Sequence, residues 1–175
     1  MGSKNSVSMF SALDYQNNQH PLVDYVSKED ALKIQQFVDD TINGMPYNKV
    51  LVFYGTGNNG KSTVVNGIIA RLNEYKKSFS QIQSTTLNDD SPSILSHNLV
   101  IISDPDEDSL KQNSTMVDLI FKRQELLFPR ILQEPITISP KCNILLTTNN
   151  MSGLDVFNKD ILEIINFQKI FNQVR

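Results

Sequence analysis

Lys61 and Ser62 close a run of small and polar residues, Gly55, Thr56, Gly57, Asn58, Asn59 and Gly60, and Thr63 follows them. Gly55, Gly60, Lys61 and Ser62 stand at the fixed positions of the pattern G-x-x-x-x-G-K-[ST]. That spacing suits phosphate. Glycines let the backbone wrap with its N–H groups pointing inward, and the N-terminus of a following helix adds partial positive charge. Lys61 is then placed to reach β- and γ-phosphates, and the Ser62 hydroxyl to ligate Mg²⁺. The competing reading is a glycine turn with an incidental Lys-Ser. Both flanks argue against it: Val50 to Tyr54 is a continuous apolar run, and Ser62 to Leu72 carries Val64, Val65, Ile68, Ile69 and Leu72 at helical spacing.

Phosphoryl transfer to water also needs an acid that holds the metal or orients water, and a polar sensor near the γ-phosphate. A second apolar run, Asn98 to Ser103, ends in Asp104, Pro105, Asp106, Glu107 and Asp108. Asp104 directly follows the run and is the expected acid of the Walker-B type, bonding Mg²⁺ directly or through water. Asp106 and Glu107 are candidates to orient the attacking water. A solvated acidic loop is the plainer reading, and it fits Asp108 best. A third run, Asn143 to Thr148, ends in Asn149, the candidate sensor, which is otherwise an ordinary turn residue.

These residues need elements to hold them. Ala31, Ile34, Phe37, Val38 and Ile42 predict a helix that starts near Ser27 and Asp30 and stops at Gly44. Ser78 to Gln83 alternates like a short strand, and Leu87 to Ser93 reads as a polar turn region. Met116, Leu119 and Ile120 mark a helix between Ser109 and Arg123. Leu126 to Ser139, with Pro129 and Pro135, suggests a β-hairpin or two short edge strands. Ile161 to Phe167 fits either a last strand or a helix, which periodicity does not separate. Apolar runs spaced by helices predict an α/β domain with a parallel sheet, in which ligands bind beyond the carboxyl ends of the strands. Lys61, Ser62, Asp104, Asp106 and Asn149 would then share one edge.

The chain has 175 residues, 39% of them hydrophobic, enough for one domain with its own core. Residues 1–22 are polar and expected to be loosely ordered; 23–175 are expected to form one unit. A lone cysteine, Cys142, lies in an apolar run and is most simply a core residue, so neither a disulfide framework nor zinc spacing is present. A reducing compartment is expected, cytoplasmic or within a host cell, rather than secretion. No run approaches membrane-spanning length. Met1 to Ser6 matches the pattern M-G-x-x-x-[ST], but a plain polar start is the preferred reading, and no membrane attachment is expected unless Gly2 is myristoylated. A net charge of −3 gives no globally basic surface for nucleic acid, although a ring-shaped motor touches its strand only through a small central lining.

Three segments taken together, GTGNNGKST (55–63), LVIISDPDE (99–107) and FPRILQEPITISPKCNILLTTNN (128–150), resemble the superfamily 3 helicases of DNA viruses, phages and plasmids. The poxvirus-type primase-helicase branch is the nearest likeness. Its loop G-x-G-x-N-G-K-S is matched by Gly55, Gly57, Asn59, Gly60, Lys61 and Ser62; Asp104 stands where that branch more often has glutamate; Arg130, Pro140 and Thr148-Asn149 match a segment leading to a strand that ends T-N. The resemblance implies an AAA+-like P-loop NTPase fold, ATP hydrolysis with Mg²⁺, homo-oligomeric rings such as hexamers, and single-stranded DNA or RNA in the pore. It also places Lys122, Arg123, Arg130 and Lys141 in the pore-facing segment, against the plainer reading of a mixed-charge surface with Glu125 and Glu134 interleaved.

Two departures stand out. Such helicases usually carry a primase, origin-binding or nicking domain first, and the 49 residues before Val50 are too few for one. The branch also usually has an arginine shortly after the T-N strand, where this chain reads DILEIINF (160–167). A small P-loop kinase is an alternative, but a kinase lid needs cations and the chain has only four arginines, Arg71, Arg123, Arg130 and Arg175. A nucleotide-binding but non-catalytic subunit of a replication or packaging assembly is another.

Overall fold

The computed structural model describes residues 21–83, 91–130 and 133–167. All but the end of the segment 1–22 lies outside them; Leu22, in a 3-10 turn (Pro21–Asp24), is fully buried in the core.

Helix α1 (Lys28–Asn43) begins and ends as its sequence predicts. The Ser27 Oγ accepts the Asp30 N–H at 3.1 Å, and Gly44 takes the left-handed conformation, φ 69°, that closes the helix. Strand β1 (Val50–Tyr54) follows, then α2 (Lys61–Glu74), β2 (Phe79–Gln83), a short α3 (Ser91–Leu95), β3 (Leu99–Ser103) and α4 (Glu107–Phe121). After these come β4 (Leu126–Arg130), β5 (Gln133–Ile138), β6 (Asn143–Thr148), two 3-10 turns (Leu154–Val156 and Lys159–Ile161) and β7 (Leu162–Asn166).

β2, β3, β6, β1 and β7 form one sheet in that order, and every neighbouring pair is parallel. Both faces are covered, which is why the three central strands, β3, β6 and β1, read as unbroken apolar runs rather than alternating ones. Along β1, Leu51 and Phe53 pack with α1 and α2, while Val50 and Val52 pack with α3, α4 and the 3-10 turns. Each of these side chains is at most 1% exposed, a burial that contributes about 2 kcal/mol apiece before the entropy of ordering is counted. β4 and β5 form a separate antiparallel hairpin, where Pro129 and Pro135 cost no interior ladder bond.

Three segments differ from or complete the sequence expectation. Residues 161–167 resolve as strand β7, held by pairing with β1. Part of the polar stretch 87–93 enters α3, which covers the sheet with Ile94 and Leu95; residues 84–90 lie outside the described residues. α4 starts at Glu107, two residues before Ser109, because Asp106 caps it: its Oδ1 accepts the Ser109 N–H at 2.7 Å.

Candidate nucleotide-binding site

The strand register brings the candidate residues to one level. Tyr54 lies opposite Thr148 on one side and Asn166 on the other, and Ser103 lies opposite Thr147. The chain therefore leaves β1, β7, β6 and β3 at neighbouring points, through Gly55, Phe167, Asn149 and Asp104. Backbone bonds stitch these exits: Gly55 N–H donates to the Thr148 carbonyl (3.2 Å), Phe167 N–H to Tyr54 (2.8 Å) and Asp104 N–H to Thr147 (2.9 Å).

Gly57, Asn58, Asn59, Gly60, Lys61, Ser62, Thr63, Asp104 and Asn149 line a cavity of about 270 Å³ at this edge. Gly55, which is buried, and Thr56, which is exposed, lead into it. Left-handed backbone at Gly57 (φ 92°), Asn58 (φ 43°) and Gly60 (φ 88°) folds the loop into the kind of concave turn that presents N–H groups to anions. α1 and α4 are each capped by a side chain, Ser27 and Asp106, whereas α2 has none. Its first N–H groups are thus left to an anion in the cavity.

Lys61 is only 7% exposed, and burial lowers its pKa, with Asp104 opposing that shift. Its ammonium donates to the Gly55 carbonyl and to Asn149 Oδ1 (2.8 Å). Asn149 Nδ2 in turn donates to Asp104 Oδ1 at 3.1 Å. A continuous chain Lys61–Asn149–Asp104 thus crosses the ends of three adjacent strands. Ser62 and Asp104 are both exposed to the cavity and offer two oxygen donors, a set that suits Mg²⁺, which keeps water and phosphate oxygens as its other ligands.

The remaining candidates lie elsewhere. Asp106 and Glu107 are outside the cavity lining; the first caps α4, and the second pairs with Lys111 at 2.7 Å on the helix surface. Lys122 pairs with Asp118 at 2.6 Å, and Lys141 is exposed. Arg123, half-buried, donates to the Pro140 and Cys142 carbonyls and to Asn143 Oδ1 (2.8 Å), so it braces the base of the hairpin from inside. Arg130 is the last residue of β4. Sequence reasoning did not single out the Phe167 carbonyl, which accepts from Asn59 Nδ2 at 2.9 Å; a backbone contact of this kind leaves no signal in residue types. It also missed a larger apolar cavity of about 400 Å³ lined by Met151, Leu154, Leu162 and Ile164, which holds none of the phosphate chemistry.

Sheet order, layering and loop geometry define an α/β fold of the P-loop NTPase-like kind. Residues 53–161 match the family of unknown function DUF5906, and the chain belongs to that family. No curated protein matches it. Among solved structures, two apo forms of the NrS-1 C-terminal region are similar to it, each with a TM-score of 0.61 and 16% identity. The alignments cover 84% and 87% of this chain but 35% and 36% of those, so the chain spans about a third of their length. NtrX from Brucella abortus in complex with ADP overlaps more loosely, with a TM-score of 0.48 and 13% identity over 82% of this chain and 37% of that one.

Proposed function

We propose that this chain binds and hydrolyses ATP. The supporting observation is the Lys61–Asn149–Asp104 chain of hydrogen bonds beside the uncapped start of α2. Burial has already stripped Lys61 of much of its hydration, so a triphosphate that takes over its ammonium meets a charge needing little further desolvation. Gly57 to Thr63 cradle the phosphates. Ser62 and Asp104 would hold Mg²⁺, which would supply charge neutralisation to the phosphates. Asn149, oriented at one end by Lys61 and at the other by Asp104, is placed to report the presence of a γ-phosphate to both. Asp106 and Glu107 act outside this first contact with phosphate.

The resemblance to superfamily 3 helicases supports a further step: a homo-oligomeric, ring-forming motor, hexameric in that family, that works on single-stranded DNA or RNA inside a cell. In this reading the β4–β5 hairpin, with Arg130 and neighbouring Lys141, faces the strand. The deciding experiment is phosphate release from ATP with and without single-stranded DNA or RNA. Turnover without any added acceptor, stimulated by a strand, is expected. A phosphorylated small-molecule product would move the reading to a kinase.

One observation favours a second reading, a subunit that binds nucleotide without turning it over. Arg71 is engaged by Glu74 and Tyr75, and Arg123 by the hairpin base, so neither of these described arginine side chains lines the cavity. Tight ATP binding without phosphate release, with or without a strand, would establish that reading instead.

A further inference from the structure

The most buried side chain in the cavity lining is Asn59, 3% exposed, and protein groups engage its amide at both ends. Its Nδ2 donates to the Phe167 carbonyl at 2.9 Å, and its Oδ1 lies 3.4 Å from the Lys61 ammonium. These neighbours fix which way the amide faces, since a carbonyl only accepts and an ammonium only donates. The carboxamide occupies the space that Gly55 leaves open: a Cβ on Gly55 would stand 1.9 Å from Asn59 Nδ2 and 2.6 Å from the Phe167 oxygen. Phe167 is held from its other side as well, by its N–H on the Tyr54 carbonyl and its ring 4.9 Å from that of Phe53.

We propose that Asn59 is a positioning residue rather than a phosphate ligand: it pegs the middle of the phosphate loop to the end of β7 and sets the starting place of Lys61. This rests on the nucleotide-binding reading above and adds which side chain holds the loop ready. The nearest alternatives fit the three neighbours less well. Aspartate keeps the shape but has no donor for Phe167 and sets a carboxylate against both a carbonyl oxygen and the incoming phosphates. Serine is too short to span the gap, and glutamine is a methylene too long for the space beside Gly55. The peg also ties the loop to Phe167 at the end of β7.

The test compares wild type, Asn59→Asp and Asn59→Ser for ATP and ADP affinity, KM, kcat and the nucleotide-free melting temperature. Wild type is expected to bind ATP. In Asn59→Asp, affinity for ATP should fall about tenfold or more, by a larger factor than for ADP, and KM should rise more than kcat falls. Asn59→Ser should lie between. ATP affinity and KM within about twofold of wild type in both variants, whatever their melting temperatures, would overturn the proposal. Should neither variant fold, hydrogen exchange on wild type decides it: residues 55–63 and 163–167 should gain protection together on adding ATP, and a gain confined to the loop would overturn the proposal. A wild-type chain that binds no nucleotide removes this proposal and the functional reading together, whereas binding wild type with indifferent variants removes this one alone.

Discussion

Asn149 Nδ2 donates to Asp104 Oδ1 at 3.1 Å while the other end of the same amide accepts the Lys61 ammonium at 2.8 Å. One side chain thus bridges the carboxylate and the ammonium of the site. Removing one preorganised donor from such a site commonly costs about 10² in rate. Asn149→Ala is therefore expected to keep ATP binding and lower kcat by about that factor. Asn149→Asp should be worse, because it sets two carboxylates against each other. Single-turnover phosphate release at saturating ATP, beside a binding isotherm, measures both; an unchanged kcat in Asn149→Ala would remove the sensor role.

Asp104 and Asp106 are two residues apart and should respond differently. Asp104 is exposed to the cavity, whereas Asp106 caps α4, and its backbone bond from Ser109 holds its carboxyl below the usual carboxylate range. Asp104→Asn should still bind ATP but lose hydrolysis, since an amide is a poor Mg²⁺ ligand. Asp106→Ala should leave turnover in place and lower the urea midpoint, since α4 loses its side-chain cap. The reverse pattern would move the metal-binding acid onto Asp106.

The cap also shows what was legible in the sequence and what was not. Asp106 before Glu107 and Asp108 is a helix-start signal, an acceptor followed by acids in the first turn, and it lay inside a run whose acidity first suggested active-site chemistry. The phosphate loop, α1 and the three apolar strands β1, β3 and β6 were readable because their signals are local: fixed glycines, a serine cap, a glycine stop and unbroken burial. β7 was not, because Glu163 and Asn166 interrupt its apolar run and its pairing with β1 joins segments far apart in the chain. Ile94 and Leu95 of α3 were likewise too few to stand out beside their polar neighbours. For the same reason Asn59 was legible as part of a motif, while its bond to the Phe167 carbonyl was not.

Cys142 gives the chain a predictable alkaline limit. Burial pushes its thiol up from 9.0 to about 11, so the folded state keeps the proton that the unfolded chain gives up above pH 9. Stability from this group is complete below pH 9 and is lost as pH rises toward 11, to a total of about 3 kcal/mol. Tyr47, raised by burial and by its hydrogen bond to Glu163, adds a similar loss starting near its ordinary value of 10.0, and Lys61, whose pKa burial lowers from 10.5, acts with the opposite sign, so the cysteine's share is the difference between wild type and Cys142→Val. Urea-unfolding free energy should decline more steeply above pH 9 in wild type than in Cys142→Val.

The four basic residues assigned to nucleic acid separate by environment. Arg123 serves three acceptors at the hairpin base, and Asn143, one of them, bonds onward to Thr41 Oγ1 (2.9 Å) and the Met45 carbonyl (3.1 Å). Arg123→Ala should cost about 2–3 kcal/mol of stability and leave the salt dependence of strand binding unchanged. Lys141, which is exposed, should tolerate Lys141→Ala with stability nearly unchanged, and Lys141→Ala and Arg130→Ala should each reduce the slope of log K against log salt by about one. Lys122, already paired with Asp118, should contribute less. Equal slopes in wild type and both hairpin variants would place the strand on another surface.

The last prediction concerns the charge that the site lacks. A γ-phosphoryl group in transfer carries negative charge that an arginine from a neighbouring subunit commonly stabilises, an effect worth about 10³ or more in rate. Within the cavity lining the cation is Lys61, whose hydrogen bonds already commit it to Gly55 and Asn149, while Arg71 and Arg123 are held elsewhere. Lysine screens charge without arginine's planar fork, so Lys159 on the exposed 3-10 turn would be a weaker substitute. Isolated chains should therefore turn ATP over slowly, and specific activity should rise with protein concentration as subunits complete one another's sites. Activity measured across a dilution series, repeated for Arg123→Ala, Arg130→Ala and Arg175→Ala, reads this directly. A donor from a neighbour is identified by a variant that stays flat at all concentrations yet recovers when mixed with Lys61→Ala chains, since each then supplies what the other lacks. Brisk turnover per chain, independent of dilution and indifferent to all three substitutions, would show a site complete within one subunit and leave the ring without its chemical rationale.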